Sequence, residues 1–170
     1  MTLVRYNEIK ESAYIEYISE WENDGKKIVP GASDRKGRPF EEMMIKWISN
    51  EEDIMYEKGL VPSTLYFLIN NKKRIIGAID FRHFLNEKLK RHGGHIGYGV
   101  RPSERRKGYC FYMLNTLLEM IKAKDYKKVL LTCDDDNSGS IKTIEKIGGI
   151  LENKILDEEK LIRRYWVDLN

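Results

Sequence analysis

Residues 95–118 read HIGYGVRPSERRKGYCFYMLNTLL, and this stretch decides the fold. Its first part predicts a strand from about His95 to Val100 that stops before Pro102, because proline cannot donate to a strand ladder. Helical spacing follows, and the apolar residues that share one helix face are Met113, Leu114, Leu117, Leu118 and Ile121. The pattern therefore predicts a strand, a short basic turn and a helix in direct succession.

The basic turn combines features that bind anions. A helix N-terminus offers unpaired backbone N–H groups and a partial positive charge, so phosphate groups bind there readily. Gly108 lets the backbone approach a diphosphate closely, where a Cβ atom would intrude. Arg105, Arg106 and Lys107 add positive charge, and arginine makes forked contacts with phosphate oxygens. A solvated turn has the same composition, so the turn alone leaves phosphate binding open.

Upstream of this stretch, the pattern predicts a short edge strand over residues 2–6 and an amphipathic helix over residues 8–23. A loop with glycines and prolines spans residues 30–39. A second helix follows, and its predicted apolar face carries Phe40, Met44, Trp47 and Ile48. Residues 64–69 and 75–84 are β-rich runs around a polar turn, which predicts a hairpin.

Downstream, Lys128–Cys133 is an apolar run typical of a strand buried on both faces. Residues 140–147 predict a short helix that ends at Gly148, and two last strands fit residues 150–156 and 162–169. We therefore expect a single α/β domain over residues 1–170, with about seven strands and about four helices.

Composition excludes several classes of function. The chain has 170 residues, 41% hydrophobic and 34% charged, which suits a globular domain with a core. Its net charge of +3, from 30 basic and 27 acidic residues, is too balanced for a nucleic-acid binder. There is no signal-peptide core or membrane-spanning apolar run, and the two cysteines form no disulfide or metal pattern. We expect a cytoplasmic protein that binds no metal, nucleic acid or membrane.

Three motifs resemble those of the GNAT acetyltransferases, in the family's order and spacing. Residues 105–110, RRKGYC, match the signature R/Q-x-x-G-x-G/A, with Cys110 in place of the last small residue. Residues 99–102, GVRP, resemble the family's V-x-P exit from the fourth strand, and residues 137–148 resemble its N-x-x-S followed by K-x-G. The stretches RHFLNEKL, GGHIGYGVRPSER and RRYW look like those of an uncharacterised bacterial GNAT subfamily.

This resemblance implies acetyl-CoA as co-substrate and a mixed, mostly antiparallel central sheet that is splayed between its fourth and fifth strands. The pantetheine arm would enter the gap between residues 97–100 and 131–133 as a pseudo-strand, and a main-chain N–H near residues 98–100 would polarise the acetyl carbonyl. Asn137 would bond the pantetheine amides. The residues expected to bind acetyl-CoA are Tyr98, Gly99, Val100, Arg105, Arg106, Lys107, Gly108, Tyr109, Cys110, Asn137 and Ser140.

Two features near the expected gap each have two interpretations. The glycines at positions 93, 94, 97 and 99 fit a strand that bulges and meets a ligand backbone, or else they only weaken an edge strand. The acidic run Asp134–Asp136 either attracts a cationic amine by its local field or is a solvated loop that helps to cap the next helix.

The implied reaction is direct attack of a neutral amine on the thioester, so an ammonium must lose a proton and the thiolate must gain one. Many relatives place a donor tyrosine where this chain has Ile144. The candidate bases are His95, which begins the fourth strand, and His83, which ends the third. Cys133 is a candidate acyl carrier or proton donor, and Tyr98 and Tyr109 are conceivable donors; each has an ordinary structural interpretation too.

The sequence thus predicts an N-acetyltransferase for a primary amine of a small molecule or polypeptide. Since Ile144 cannot donate a proton, a non-catalytic acyl-CoA-binding regulatory module is the alternative. Many relatives are dimers and the last strand is expected at an edge, so a homodimer is compatible with the pattern. The sequence does not identify the acceptor.

Overall fold

Two antiparallel sheets form the framework of the protein, in a computed structural model that describes residues 1–52 and 59–170. The first sheet has the strand order β1-β2-β3-β4, and the second has the order β5-β7-β6. Every described strand pair is antiparallel. The strands are β1 Thr2–Arg5, β2 Ser63–Ile69, β3 Ile75–Arg82, β4 Ile96–Val100, β5 Lys128–Asp134, β6 Ile150–Asp157 and β7 Lys160–Asp168.

The predicted split between the fourth and fifth strands is confirmed, and it goes further than expected. No ladder joins β4 to β5 in the described part of the chain, so the seven strands form two sheets rather than one splayed sheet. Each of these two strands is consequently an edge that faces the gap, and it can bind an extended ligand through its main chain.

Five helices are described, where the sequence predicted about four. The additional helix spans only five residues, which is too short to show apolar periodicity, and Asn86 caps it by accepting a hydrogen bond from the Leu89 N–H at 2.9 Å. The helices are α1 Glu11–Asp24, α2 Phe40–Ser49, α3 Glu87–Arg91, α4 Tyr109–Lys122 and α5 Ser138–Lys146.

Two hydrophobic cores lie on opposite faces of the first sheet, because alternate residues of a strand point to opposite sides. Ala78 of β3 packs with α1 and α2, whereas the next residue, Ile79, packs with α4. The predicted apolar face of the second helix is partly wrong: Ile48 is 49% exposed, and Met43 is fully buried instead. Residues 129–131 of β5 are fully buried, which confirms that interpretation.

A buried arginine ties the end of β4 to α1. The Arg101 side chain is 2% exposed, and its Nε donates to Glu20 Oε2 at 2.6 Å while its Nη1 donates to the Ile75 carbonyl at 3.0 Å. Glu20 in turn accepts from the Ser103 N–H at 2.7 Å. The basic turn between β4 and α4 is therefore held against α1 by charged hydrogen bonds, and the arginine that makes most of them is shielded from water.

Candidate active site

The two sheets are hydrogen-bonded to each other where the chain enters β4. The His95 N–H donates to the Leu130 carbonyl at 2.8 Å, and the Leu130 N–H donates back to His95 Nδ1 at 2.9 Å. The imidazole thus replaces a main-chain acceptor for a buried N–H of β5. This joint closes one end of the gap and leaves the rest of the two strand edges apart.

The main chain of β4 presents hydrogen-bonding groups to the gap. Odd-numbered positions around β4 bond to β3, as the Arg82 N–H bonds to the His95 carbonyl at 2.8 Å and the Arg101 N–H bonds to the Ile76 carbonyl at 3.0 Å. Since the direction of these groups alternates along a strand, the N–H groups of Tyr98 and Val100 point away from β3. They are available to a carbonyl oxygen placed in the gap.

A cleft of about 490 Å³, here named the α4 cleft, opens beside the N-terminus of α4. Its lining includes Trp21, Lys142 and Lys146, which no motif in the sequence indicated. Lys107 is the one expected binding residue outside the lining among the described residues, and it pairs with Glu104 at 2.9 Å. The expected binding residues that do line it are Tyr98, Gly99, Val100, Arg105, Arg106, Gly108, Tyr109, Cys110, Asn137 and Ser140.

Gly108 shapes the entrance of the α4 cleft. It is the N-cap residue of α4 with a φ of +82°, a conformation that side chains rarely adopt. No described side chain caps this helix, and a Cβ atom built on Gly108 would meet nothing within 4 Å. The first-turn N–H groups of α4 therefore face open space, as an anion-binding helix terminus requires.

Positive charge around this terminus is held in place by aromatic rings. The Arg105 guanidinium lies 4.9 Å from the centre of the Trp21 ring and pairs with Asp24 at 3.2 Å. On the opposite wall, Lys146 Nζ lies 4.5 Å from the centre of the Phe111 ring. The diphosphate of a nucleotide fits this combination of free N–H groups, fixed cations and open volume.

A second cleft, about 390 Å³ and here named the loop cleft, opens under the loop that follows α1. It shares Tyr98, Asn137 and Ser140 with the α4 cleft, so the two clefts meet at the gap between β4 and β5. The loop lies tightly on β4: a Cβ atom on Gly99 would sit 2.2 Å from the Val29 carbonyl oxygen. Glycine is needed at that position for contact with the chain's own backbone.

The charged lining of the loop cleft is mostly basic. Lys27, Arg82, His92 and Lys160 line it, whereas Asp134 is the one described acidic residue in the lining. Lys160 Nζ lies 2.7 Å from Asp134 Oδ2. In the same acidic run, Asp135 pairs with Lys154 and Arg163. Two of the three aspartates are thus neutralised by lysine or arginine partners.

Arg82 is fixed over β4 by a buried carboxylate that sequence reasoning did not single out. Asp80 is 4% exposed, and its Oδ2 lies 3.5 Å from Arg82 Nε. Burial raises the pKa of Asp80, while the charge of Arg82 opposes that rise. Arg82 Nη1 donates to the carbonyls of Gly93 and Gly94, at 2.8 and 3.2 Å. A lone aspartate in the apolar run IIGAIDFR was the available signal.

The two histidines predicted as bases lie elsewhere. His83 and His95 line a separate hollow of about 460 Å³ and do not belong to the described lining of either cleft. His83 Nε2 shares a hydrogen bond with Thr64 Oγ1 at 2.9 Å. Burial lowers the pKa of His95 to about 4, so its ring is neutral near pH 7. A catalytic role for either histidine stays a prediction.

His92, which sequence reasoning passed over, does line the loop cleft. Its Nδ1 lies 3.4 Å from Asp157 Oδ2 and its Nε2 lies 3.8 Å from Asp134 Oδ1. These carboxylates come from β6 and β5, which are remote in sequence from His92. No local motif signals the grouping, because tertiary folding alone brings the three side chains together.

Cys133 and Tyr98 lie where the two clefts meet. Cys133 lines the loop cleft, and burial raises the pKa of its thiol to about 11, so it is a neutral thiol at pH 7. Burial raises the pKa of Tyr98, an effect that the nearby Ser140 hydroxyl opposes, and among the described residues the Tyr98 hydroxyl makes no hydrogen bond of good geometry. Ile144, at the position of the relatives' donor tyrosine, is fully buried in the core.

Comparison with known sequences identifies the family to which this fold and these paired clefts belong. The Acetyltransferase (GNAT) family profile matches residues 13–149, so this chain belongs to that family. It is also 38% identical over 60 residues to "Uncharacterized N-acetyltransferase YjdG" of Bacillus subtilis (strain 168). That match covers 35% of this chain and 36% of the relative, so the aligned part spans about a third of each.

Solved structures of acetyltransferases share the fold at low sequence identity. A ribosomal-protein-S5-alanine acetyltransferase from Vibrio fischeri has a TM-score of 0.69 at 14% identity, covering 99% of this chain and 92% of that one. A mutant spermidine N-acetyltransferase from Vibrio cholerae has a TM-score of 0.68 at 13%, covering 99% and 95%. An N-acetyltransferase from Staphylococcus aureus Mu50 has a TM-score of 0.66 at 16%, covering 99% and 98%.

Within residues 1–52 and 59–170, no cluster of three histidine, cysteine, aspartate or glutamate side chains could hold a metal ion. Within the same ranges, the helices are too short or too polar to traverse a bilayer.

Proposed function

We propose that this protein is an N-acetyltransferase that binds acetyl-CoA in the α4 cleft and acetylates a primary amine that enters through the loop cleft. The observation that carries the proposal is the meeting of the two clefts at the gap, with Tyr98, Asn137 and Ser140 in both linings. Acetyl-CoA supplies an activated acetyl thioester, and an amine in the opposite cleft reaches it through this gap. Membership of the GNAT family supports the same conclusion.

Each part of the α4 cleft has a defined role in this proposal. The first-turn N–H groups after Gly108, together with Arg105 and Arg106, bind the diphosphate. The N–H groups of Tyr98 and Val100, which face the gap, hold the acetyl carbonyl and stabilise the negative charge that develops on its oxygen. Asn137 and Ser140 bond the polar groups of the pantetheine arm at the N-terminus of α5.

Proton transfer is assigned to residues that border the gap. His92, whose two ring nitrogens face Asp134 and Asp157, takes a proton from the incoming ammonium. Tyr98 keeps its proton because burial raises the pKa of its phenol, so its hydroxyl can hydrogen-bond to the departing thiolate in place of the missing tyrosine at position 144, while the thiolate takes up the proton that the attacking nitrogen loses. Cys133 stays a thiol for the same reason, which argues against a role as acyl carrier.

The test is thiol release from acetyl-CoA, measured across polyamines, amino acids, aminoglycosides and lysine peptides. We expect turnover on one of these classes and saturable binding of acetyl-CoA in its absence. A second candidate function is a non-catalytic acyl-CoA-binding module, because the fully buried Ile144 stands at the position of the relatives' donor tyrosine and cannot donate a proton. Tight binding of acetyl-CoA without turnover on any acceptor would establish that candidate, and failure to bind acetyl-CoA would overturn both.

A further inference from the structure

The loop cleft contains a guanidinium that is fixed in place and still has unused hydrogen-bonding capacity. Arg82 Nη1 donates to the Gly93 and Gly94 carbonyls and its Nε faces Asp80, so the plane of the guanidinium is set by three protein groups. Its Nη2 has no hydrogen-bond partner among the described residues. Arginine held in this way loses little entropy when it binds a second group.

Nη2 lies over β4, beside the expected path of the acceptor. A Cβ atom on Gly97 would sit 3.1 Å from Arg82 Nη2, and the glycine at this position leaves room for the guanidinium. The next residue of β4 is Tyr98, which borders both clefts. A group bound to Nη2 would therefore lie one residue along the strand from the place where the clefts meet.

The charge of the loop cleft selects for an anion rather than a second cation. Lys27 and Arg82 face the cleft without an acidic partner in its lining, and Lys160 neutralises Asp134. Asp80 pairs with Arg82 on the same face of β3, but it is buried and does not line the cleft. A polyamine would bring further positive charge into this lining and would find no unpaired carboxylate there.

We infer that the acceptor is an amine that also carries a carboxylate a few bonds from its nitrogen, and that Arg82 binds this carboxylate while the amine faces the gap. This inference rests on the proposed acetyl transfer and narrows its substrate class to amino-acid-like molecules. Arginine suits the role because its fork matches the geometry of a carboxylate. His92 lines the same cleft and is available to the amine end of such a molecule.

The experiment compares matched pairs of acceptors: amino acids against the amines that remain when the carboxylate is removed, such as lysine with cadaverine and ornithine with putrescine. We expect kcat/KM to be at least about tenfold higher for the member with a carboxylate, the usual effect of one charged hydrogen bond. Equal or faster turnover of the amines alone would overturn this inference and leave acetyl transfer standing. Absence of turnover on both members, across a broad panel, would overturn both.

Variants separate recognition from mere support of the fold. Arg82→Gln should raise KM about tenfold or more for the amino acids, with kcat nearly unchanged, and should leave the kinetics of the decarboxylated amines as they were. Arg82→Lys keeps the charge and should recover part of the affinity if the first variant is unstable. Arg164→Gln is the matched control, since Arg164 also binds a main-chain carbonyl, that of Lys90, but lies outside both linings. An equal loss of kcat on both members in Arg82→Gln would show a structural role only.

Discussion

The α4 cleft and the loop cleft face each other across the same gap, yet they are built in different ways. Ten of the eleven residues expected to bind acetyl-CoA line the α4 cleft, and most of them come from one strand-turn-helix segment. The loop cleft takes its charged side chains from the α1–α2 loop, β3, the turn before β4, β5 and β7. A site made from one segment is visible in a motif, whereas a site made from five segments is visible only in the folded chain.

The largest expected effect concerns the α4 cleft. Gly108→Val should weaken acetyl-CoA binding about 1,000-fold, or about 4.1 kcal/mol, because a branched side chain would cover the first-turn N–H groups of α4 and strain a φ of +82°. Isothermal titration calorimetry measures the affinity of both proteins for acetyl-CoA.

Gly148→Val is the control for this change, since Gly148 also has a positive φ, of +88°, and open space around it, but lines neither cleft. The control should lose comparable stability and keep its affinity. Normal acetyl-CoA affinity in Gly108→Val would place the diphosphate elsewhere.

The second prediction tests the loop cleft through two of the three histidines. His92→Gln should lower kcat about 100-fold with unchanged acetyl-CoA affinity, the usual effect of removing a general base. His83→Gln should leave kcat within about twofold, because His83 is bonded to Thr64 in another hollow. Steady-state kinetics on the best acceptor measure both effects, and the reverse ranking of the two variants would return the base role to His83, one of the two histidines predicted from sequence.

The third prediction concerns the residue that belongs to both clefts. Tyr98→Phe should lower kcat roughly 30-fold, a modest effect because a thiol with a pKa near ~8.5 leaves with little help. The variant should be as stable as the parent or more so, since the buried hydroxyl it loses has no partner among the described residues. Tyr109→Phe, in the α4 cleft alone, is the control; equal kinetics for the two variants would mean that Tyr98 does not stabilise the leaving thiolate.

The smallest expected effect concerns the joint between the sheets. Burial lowers the pKa of His95 to about 4 in the folded protein, against about 6.5 when unfolded, so the unfolded chain binds more protons between these values. Its contribution to stability is fully present above about pH 6.5 and is lost as the pH falls toward 4, by roughly 2 kcal/mol once solvent screening is allowed for.

Urea unfolding at several pH values, for the parent and His95→Gln, measures this contribution. The variant should be less stable at pH 7 and should show a flatter pH dependence between pH 6.5 and 4. Parallel curves for the two proteins would mean that His95 titrates normally and does not bind the Leu130 N–H as its neutral form does.

The fold was predictable because its decisive elements have strong local patterns. The apolar face of α4 and the buried run of β5 need no knowledge of tertiary contacts, and both are found as expected. The short helix α3 has too few residues to show a period, and Ile48 points outward because the direction of a helix face depends on its neighbours. Sequence patterns therefore predicted the elements themselves but not how each element packs against its neighbours.

In the candidate site, too, the residues that stand in motifs were predictable, and those grouped by tertiary contacts were not. Gly108 and Asn137 stand in motifs, so their places in the α4 cleft could be anticipated. The grouping of His92 with Asp157, and of Arg82 with Asp80, arises from strands that meet only in the folded chain. Sequence reasoning chose His95 by its position near β4, but position alone does not reveal that its ring accepts the Leu130 N–H.

The most direct test of the account is a crystal structure of the protein with acetyl-CoA. We predict that the diphosphate contacts the N–H groups that follow Gly108 and that the thioester carbonyl faces the N–H groups of Tyr98 and Val100 in the gap. A coenzyme bound away from the α4 cleft, or strands β4 and β5 hydrogen-bonded to each other along their length, would contradict it.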